Sequence, residues 1–509
     1  MSGSLTSRTL NAAKWTYLST FITAALQILV TAVLARLVAP EAFGLIAMST
    51  LVLRFGQYFA QMGVGQAIVQ RPELEPDHAS AGFWSSLVIG VLFTSVAWLL
   101  SPLASRAFGD QALIPVLRWM SLSFVISGTS TTSFALLRRA MRFRAIAVTE
   151  IVAYVIGYGG ALALAAGGAG VWALVFAGLC QTAVASLLYN VLARPRLVPV
   201  VRWQPYRELL GFGTAVSVIS FLEFLNSNLD TMVVGRLAGA ANLGYYTRAL
   251  SLTGLPMQYM STSLSKVLLP SFSRAQDDAG RLSRAYLTVI TVFAGIGLPV
   301  GLGMSGAARE IVAVLLGPKW LASVPVMRIV AIASVAAMLS HFGGVLLEAT
   351  ARLKQKMLLR VGQLALFGAM LFALRRLGLV GFASAFAISE ATQLVAQTVV
   401  IHRALPLSAG VLLRAYRPGL LGGVLAAALL YGESVAAAAV GAPAGIVLVA
   451  QVLTGALVLC GTAISVDRGS LYREIRGRMA GAPPLRVRLI VERLDRLTGW
   501  TAGVAGGPV

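Results

Sequence analysis

The sequence predicts an all-α integral membrane protein with about fourteen transmembrane helices, and three observations support this fold class. Of the 509 residues, 57% are hydrophobic and only 12% are charged, whereas soluble domains have roughly 25% charged residues. The apolar runs reach the length of about 20 residues that a helix needs to cross about 30 Å of hydrocarbon. They also lack the alternating pattern of an outer-membrane β-barrel.

The apolar runs follow one another along nearly the whole chain. The first run is too long for the core of a cleavable signal peptide and no A-x-A site follows it, so we interpret it as a membrane span. We expect spans near residues 14–38, 42–66, 79–105, 112–137, 145–166, 170–192, 209–236, 242–269, 284–305, 322–349, 356–376, 379–402, 408–432 and 443–465.

The distribution of positive charge predicts the orientation of the chain. The net charge is +22, and Lys and Arg concentrate in alternate loops and in the C-terminal tail. One such loop carries "RRAMRFR" at 138–144, and the segment 485–500 of the tail is basic and amphipathic. Basic residues favour cytoplasmic loops, so we expect both termini in the cytoplasm. The charge then faces anionic membrane lipids rather than nucleic acid.

A weak internal repeat predicts two related halves. Three pairs of segments match in order: "ARLVAPEAFGL" (35–45) with "GRLAGAANLGY" (235–245), "PVLRWM" (115–120) with "PVMRIV" (325–330), and "VWALVFA" (171–177) with "GFASAFA" (381–387). Each pair links one span to the span six positions later. Spans one to six and seven to twelve therefore form two pseudo-symmetric six-helix lobes, an architecture typical of transporters that use alternating access.

The repeat divides the chain into five regions. Spans thirteen and fourteen have no counterpart in the repeat, and the Pro- and Arg-rich loop after span six joins the two lobes. We expect an N-terminal lobe at 1–192, a cytoplasmic linker at 193–208, a C-terminal lobe at 209–406, two extra helices at 407–466, and a basic cytoplasmic tail with an amphipathic helix at 467–509.

Polar residues within the spans are the candidate functional residues, because an ionisable group at mid-bilayer is costly and faces a cavity or a partner. We predict that one set lines an anionic substrate pathway: Arg54, Gln57, Gln61, Arg118, Asn226, Arg248 and Arg328. A second set could supply counter-ions or carry a coupling ion: Glu223, Asp230, His341 and Glu390. Two alternatives stay open: the Gln-rich stripes could be hydrogen-bonded seams between helices, and Arg118 and Arg328 could snorkel to the membrane surface.

No motif of an enzyme is present in a suitable context. The segment "GLGMSG" at 301–306 matches G-x-G-x-x-G but ends a membrane span, and no Walker lysine follows a glycine-rich loop. Three histidines and two cysteines show no metal-ligand spacing. We therefore expect no catalytic residues, no metal and no cofactor. An H⁺ or Na⁺ gradient or the membrane potential would supply the energy for transport.

Four stretches carry a family resemblance: "ALLRRAMRFRAIAVTE" (135–150), "ELLGFGTAVSVISFLEFLNSNLDTMVVGRLAGAANLGYYTRA" (208–249), "LLPSFSRAQDD" (268–278) and "LLGPKW" (315–320). They resemble the Wzx-type flippases for lipid-linked oligosaccharides, within the multidrug/oligosaccharidyl-lipid/polysaccharide (MOP) exporter superfamily. The branch that exports exopolysaccharide units such as colanic acid resembles this chain most. Thr231 and Ser227 depart from the family pattern. The resemblance implies a MATE-like two-lobe fold in the bacterial inner membrane.

The resemblance also implies a substrate, an undecaprenyl-pyrophosphate-linked oligosaccharide for exopolysaccharide, capsule or lipopolysaccharide synthesis. A polysaccharide polymerase and a chain-length regulator would be its protein partners. Alternatives are a lipid II flippase, a cation-coupled multidrug extruder and a scaffold that does not transport. The extruder is less favoured, because a site for cationic drugs should be acidic in the first lobe. Spans one and two carry no carboxylate between Lys14 and Glu41, and Arg54 lies at the centre of span two.

Overall fold

The structure is a computed structural model that describes residues 22–60, 64–71, 74–195, 198 and 214–467. Its described residues form helices, turns and bends, with no β-strand among them. Most of the predicted linker, the segment 205–213 and the C-terminal tail from residue 468 onwards lie outside the described residues. The amphipathic tail helix therefore stays a prediction.

The helices that precede the linker form the part that we call the first lobe, residues 22–195. They are α1 (Ile22–Leu37), α2 (Pro40–Ala60), α3 (Val64–Gln70), α4 (Pro76–Phe108), α5 (Leu113–Gly128), α6 (Thr131–Arg139), α7 (Phe143–Ala166) and α8 (Val171–Ala193). Within this lobe α4 packs on α5, α7 packs on α8, and α5 joins α2 to α8.

The helices of residues 214–404 form the part that we call the second lobe, and two further helices follow it. They are α9 (Thr214–Ser273), α10 (Ala279–Gly306), α11 (Ala308–Leu315), α12 (Val324–Ala349), α13 (Leu353–Ala373), α14 (Gly378–Ala404), α15 (Ala409–Val440) and α16 (Ala444–Asp467). The pair α15–α16 packs on the outside of the second lobe, mainly along α10. The division of the chain into these lobes follows the predicted repeat, and it stays a prediction together with its boundaries.

The helix α9 consists of two arms that correspond to predicted spans seven and eight. Gly239 separates the arms with a φ of 81°, a left-handed conformation that side chains with a Cβ rarely adopt. The arm at 240–273 also carries Pro256 and Pro270 within the helix. The kink at Gly239 lies between predicted spans seven and eight.

The described helices lie at the positions of the predicted spans, with one difference. The predicted second span at 42–66 contains α2, described to Ala60, and the start of α3, described from Val64. The predicted fourth span is the pair α5 and α6, bent by 44° between them. Within the described ranges nine helices are long and apolar enough to cross a membrane, or ten with the bent pair. The chain is thus a multi-pass helical membrane protein, and the count of fourteen spans stays a prediction.

The sequence repeat corresponds to a reciprocal contact between the lobes. A Cβ at Gly44 in α2 would collide with the carbonyl oxygen of Ala240 in α9, and a Cβ at Gly244 would collide with the carbonyl oxygen of Pro40. Gly44 and Gly244, like Pro40 and Ala240, are 200 residues apart, so each lobe offers the same surface to the other. Small residues allow membrane helices this close approach.

Burial also repeats between the lobes at an offset of 210 residues. Val116 and Leu117 in α5 are almost fully buried, and so are their counterparts Val326 and Met327 in α12. The largest apolar core extends across both lobes and contains Phe43 of α2. The two matching segments that the sequence aligned therefore occupy equivalent positions in their lobes.

We expect Gly44→Ala to destabilise the protein by about 1–3 kcal/mol, the usual cost of adding a group to a full interface. The added methyl group would force α2 away from the Ala240 carbonyl. Thermal unfolding in detergent, followed by tryptophan fluorescence, measures this effect. The matched control is Gly178→Ala in α8, where a Cβ meets no atom within 4 Å, and it should be neutral. Equal effects of the two substitutions would contradict the helix crossing.

Candidate functional site at the lobe interface

A segment of the second lobe binds the C-terminal end of α1. The segment is the 3₁₀ helix Pro318–Ser323. The Trp320 indole Nε1 donates to the Ala35 carbonyl at 2.7 Å, and the Lys319 Nζ donates to the Arg36 carbonyl at 2.9 Å. Arg36 in turn donates to the Val314 carbonyl of α11. These contacts join residues almost 300 positions apart and hold one end of the two lobes together.

The Trp320 ring supports these hydrogen bonds by packing. It is fully buried and meets the rings of Phe43 and Tyr245 edge-on, with centroids 5.3 and 5.7 Å away. On the other side of the repeat, the Arg236 side chain lies against Gly109 at the end of α4. Arg36 and Arg236, the arginines of the repeated Arg-Leu pair, therefore each contact the opposite lobe.

Arg248 is the predicted site residue that lies at the lobe interface. Its guanidinium is 4.8 Å from the ring centre of Phe43 on α2, within the range of a cation–π contact. Tyr158 on α7 lies close enough for an electrostatic interaction and stacks on Tyr154 at 4.3 Å. This arrangement leaves one buried guanidinium N–H, at Nε of Arg248, without a hydrogen-bond partner among the described residues.

Arg54 lies on the same helix as Phe43 but in a more open position. Its side chain is exposed, whereas Gln57 is half-buried. The neighbouring Phe55 packs on Phe224 of α9 with ring centres 5.7 Å apart, which is a second contact between the lobes. Gln61, the third member of the predicted stripe, lies outside the described residues.

Arg118 and Arg328 have different neighbours from Arg248, so the structure does not bring the predicted arginines together. The Arg118 Nε donates to the Ser101 hydroxyl at 2.9 Å, and its guanidinium lies 5.3 Å from the Trp98 ring centre. Arg328 lies 5.4 Å from the ring centre of Tyr431 in α15. Arg118 packs against α4 of its own lobe, and Arg328 packs against α15, which follows the second lobe. A role in a substrate pathway stays a prediction for both arginines.

Asp230 forms hydrogen bonds rather than an ion pair with Arg54 or Arg248 in the described part of the chain, and its role as a counter-ion or coupling residue stays a prediction. Its buried carboxylate accepts from the Tyr246 hydroxyl at 3.2 Å and from the Thr231 amide at 2.7 Å, and no ion pair to either arginine is present. A hydrogen-bond seam between the two arms of α9 satisfies it instead. Asn226 is half-buried on the same helix, and the side chain of Glu223 is not among those described.

Glu390 belongs to a polar chain inside the second lobe. It accepts from the Gln363 amide at 2.9 Å, and Gln363 accepts from Arg360 at 2.8 Å. His341 pairs its Nε2 with the Ser265 hydroxyl at 2.7 Å. These residues lie on α9, α12, α13 and α14, so they connect helices of one lobe, and a coupling role stays a prediction for both Glu390 and His341.

Sequence reasoning missed Phe43, Tyr158 and Trp320 as partners of the interface. Aromatic residues in apolar helices give no pattern that separates a lipid-facing ring from one that faces an arginine. The sequence feature that could have pointed to Trp320 is its place in the "LLGPKW" stretch between two predicted spans. No group of three or more His, Cys, Asp or Glu side chains suited to a metal occurs in the part of the chain that the structure describes.

Comparison with known proteins shows what this chain resembles. A family model described as polysaccharide biosynthesis protein matches residues 33–325. The chain is 26% identical over 355 residues to the lipopolysaccharide biosynthesis protein WzxC of Escherichia coli (strain K12), covering 69% of this chain and 71% of WzxC. It is also 26% identical to the succinoglycan biosynthesis transport protein ExoT of Rhizobium meliloti (strain 1021), over 62% of this chain and 64% of ExoT.

One solved structure shares the fold over nearly the whole chain. The lipid II flippase MurJ, in an inward closed conformation, aligns with a TM-score of 0.69 and 12% identity, covering 90% of this chain and 99% of MurJ. This likeness concerns the fold alone. The prediction of an all-helical, multi-pass membrane fold is confirmed.

We expect Trp320→Phe to lower the free energy of unfolding by about 1–3 kcal/mol, because it leaves the buried Ala35 carbonyl without a donor. Thermal unfolding measures the change. Trp172→Phe in α8, where the indole is 42% exposed, is the matched control and should change stability by less than about 0.5 kcal/mol. A Trp320→Phe variant as stable as the control would show that the hydrogen bond contributes nothing to the interface.

Proposed function

Since the chain belongs to the polysaccharide biosynthesis protein family, we propose that it is a flippase for lipid-linked oligosaccharides in the bacterial inner membrane. The family predicted from the sequence is confirmed by the match over residues 33–325. The proposed substrate is an oligosaccharide repeat unit on undecaprenyl pyrophosphate. The observation that carries the proposal is the position of Arg248 at the interface of two repeat-related lobes.

The chemistry of Arg248 suits the anionic part of this substrate. A guanidinium stays charged, binds phosphate oxygens through paired N–H donors, and is less strongly hydrated than an ammonium group. Arg248 already lies against the Phe43 ring, and its Nε has no partner among the described residues. A pyrophosphate could therefore bind there without breaking an existing ion pair. The exposed Arg54 on α2 provides a second positive charge.

The aromatic neighbours of Arg248 suit the sugar. Tyr154 and Tyr158 stack at 4.3 Å on α7, and their rings combine an apolar face with a hydroxyl group. Ligand sites commonly join such faces to a few fixed polar groups. The half-buried Gln57 and Asn226 would add hydrogen-bond donors and acceptors for sugar hydroxyls.

The transport mechanism that we propose is alternating access between the lobes. The contacts of Arg36, Lys319 and Trp320 would hold one end closed. They would separate when the lobes rock apart around the crossing of Gly44 and Gly244. Hydrogen bonds to three backbone carbonyls can break and form again without chemical change, which a reversible closure requires.

The remaining parts of the proposal concern the lipid tail, the energy source and the partners. The pair α15–α16 carries exposed apolar residues such as Leu421 and Val424, which would shape a groove for the polyprenyl chain. We propose no bound cofactor and a drive from an H⁺ or Na⁺ gradient or the membrane potential, with cytoplasmic termini. A polysaccharide polymerase and a chain-length regulator are the proposed protein partners.

The first test is deletion of the gene with complementation. Lipid-linked oligosaccharide should accumulate in the inner membrane of the deletion strain, surface polysaccharide should fall, and the wild-type gene should restore both. Arg248→Gln should restore transport at least about tenfold less well, because each lost charge-assisted hydrogen bond is worth about 1.5–3 kcal/mol.

Arg106→Gln is the matched control, because Arg106 is exposed at the end of α4, and it should complement fully. No accumulation in the deletion strain would reject this substrate and favour lipid II or a drug as cargo. Full complementation by Arg248→Gln would leave the flippase standing and reject Arg248 as its anion site.

A second test addresses alternating access. A bifunctional thiol reagent with a cleavable spacer should join Arg36→Cys to Lys319→Cys, because Lys319 reaches the Arg36 carbonyl. The cross-linked double variant should stop transporting, and cleaving the spacer should restore transport. Each single variant treated in the same way is the control. Normal transport by the cross-linked protein would reject opening at this end.

A further inference from the structure

A polar cluster connects α11, α15 and α16 inside the apolar part of the protein. Glu310 on α11 is 6% exposed. Its Oε1 accepts from the Ser434 hydroxyl at 2.6 Å, and its Oε2 lies 3.4 Å from the Gln451 amide nitrogen. The same amide donates to the Leu430 carbonyl at 2.9 Å. One carboxylate therefore contacts both helices that follow the second lobe.

The cluster contains more acceptor oxygens than donors. Next to Ser434, the Glu433 carboxylate accepts from the Thr454 hydroxyl at 2.6 Å through Oε1. Its Oε2 is buried and has no hydrogen-bond partner among the described residues, and the same holds for Oε1 of Gln451. Gln451 is only 1% exposed. Two buried oxygens of the cluster thus lack a donor.

No positive side chain neutralises the cluster within the described residues. Neither Glu310 nor Glu433 forms an ion pair. Arg309, beside Glu310, is exposed, and the Arg328 guanidinium lies over the Tyr431 ring. A buried carboxylate among neutral groups is costly unless a proton or a cation neutralises it. The surplus of acceptor oxygens indicates that something positive belongs there.

We propose that Glu310, Ser434 and Gln451 bind Na⁺. Carboxylate, hydroxyl, amide and carbonyl oxygens are the ligands of hard cations. A rotation of the Gln451 amide by 180° would point its unpartnered oxygen towards the Glu310 carboxylate and the Leu430 carbonyl. A cation between these oxygens would favour that arrangement, because it offsets the repulsion between them.

The inference does not depend on the proposed function, because cation binding can be measured without transport. The bound cation would neutralise Glu310 and hold α15 and α16 on α11. Glu310 is distinct from the coupling candidates Asp230, His341 and Glu390. The test of cation binding measures stability, whereas the test of the flippase measures accumulated lipid-linked oligosaccharide. Failure of one proposal therefore leaves the other intact.

The experiment measures thermal unfolding of the purified full-length protein in detergent against Na⁺ concentration, with choline chloride keeping the ionic strength constant. If Na⁺ binds, the unfolding midpoint of the wild type should rise with Na⁺ and the midpoint of Glu310→Gln should not. Ser434→Ala keeps the carboxylate and should require roughly tenfold more Na⁺ for the same rise. It keeps the test valid if Glu310→Gln does not fold.

Two further variants locate the Na⁺ response. Glu433→Gln separates the contribution of the neighbouring carboxylate. Glu348→Gln is the control, because Lys356 already pairs with Glu348 at 2.7 Å, and its unfolding midpoint should rise with Na⁺ as that of the wild type does. A wild type whose midpoint responds to Na⁺ no more than that of Glu310→Gln would overturn the proposal.

Discussion

The close approach of α2 and the second arm of α9 sets the geometry on which the other contacts depend. Gly44 and Gly244 leave no room for a Cβ, since each faces a backbone carbonyl of the opposite lobe. Because the backbones touch, Phe43 can reach the Trp320 ring and also the Arg248 guanidinium. A larger residue at either glycine would move Phe43 away from both the Trp320 ring and the Arg248 guanidinium.

The short segment from Ala308 to Ser323 contacts three parts of the molecule. Its Trp320 and Lys319 bind the C-terminal end of α1 in the first lobe. Its Glu310 binds α15 and α16 through Ser434 and Gln451. The interface between the lobes and the attachment of the two extra helices are therefore held by neighbouring residues, although the partners come from opposite ends of the chain.

Much of the fold could be predicted because the physics of the bilayer is local. A helix satisfies its own backbone hydrogen bonds, so each long apolar run predicts a helix without knowledge of its neighbours. Most helices from α4 to α16 agree with those runs, and Gly239 lies between predicted spans seven and eight. The bend between α5 and α6 and the helix α11 were missed, because short polar interruptions carry no comparable signal.

The candidate site was less predictable, because charge alone does not reveal a partner. Arg118, Arg248 and Arg328 look alike in sequence, yet their guanidinium groups meet Trp98, Phe43 and Tyr431 respectively. Asp230 meets Tyr246 rather than an arginine.

The sequence by itself determined that the protein is helical and resides in a membrane, because hydrophobic length is a property of the chain. The two related halves stay a prediction from the repeat. Only the tertiary structure decided which polar groups meet. Those pairs join residues up to almost 300 positions apart, and their contact depends on how each helix is rotated and where it crosses its neighbour.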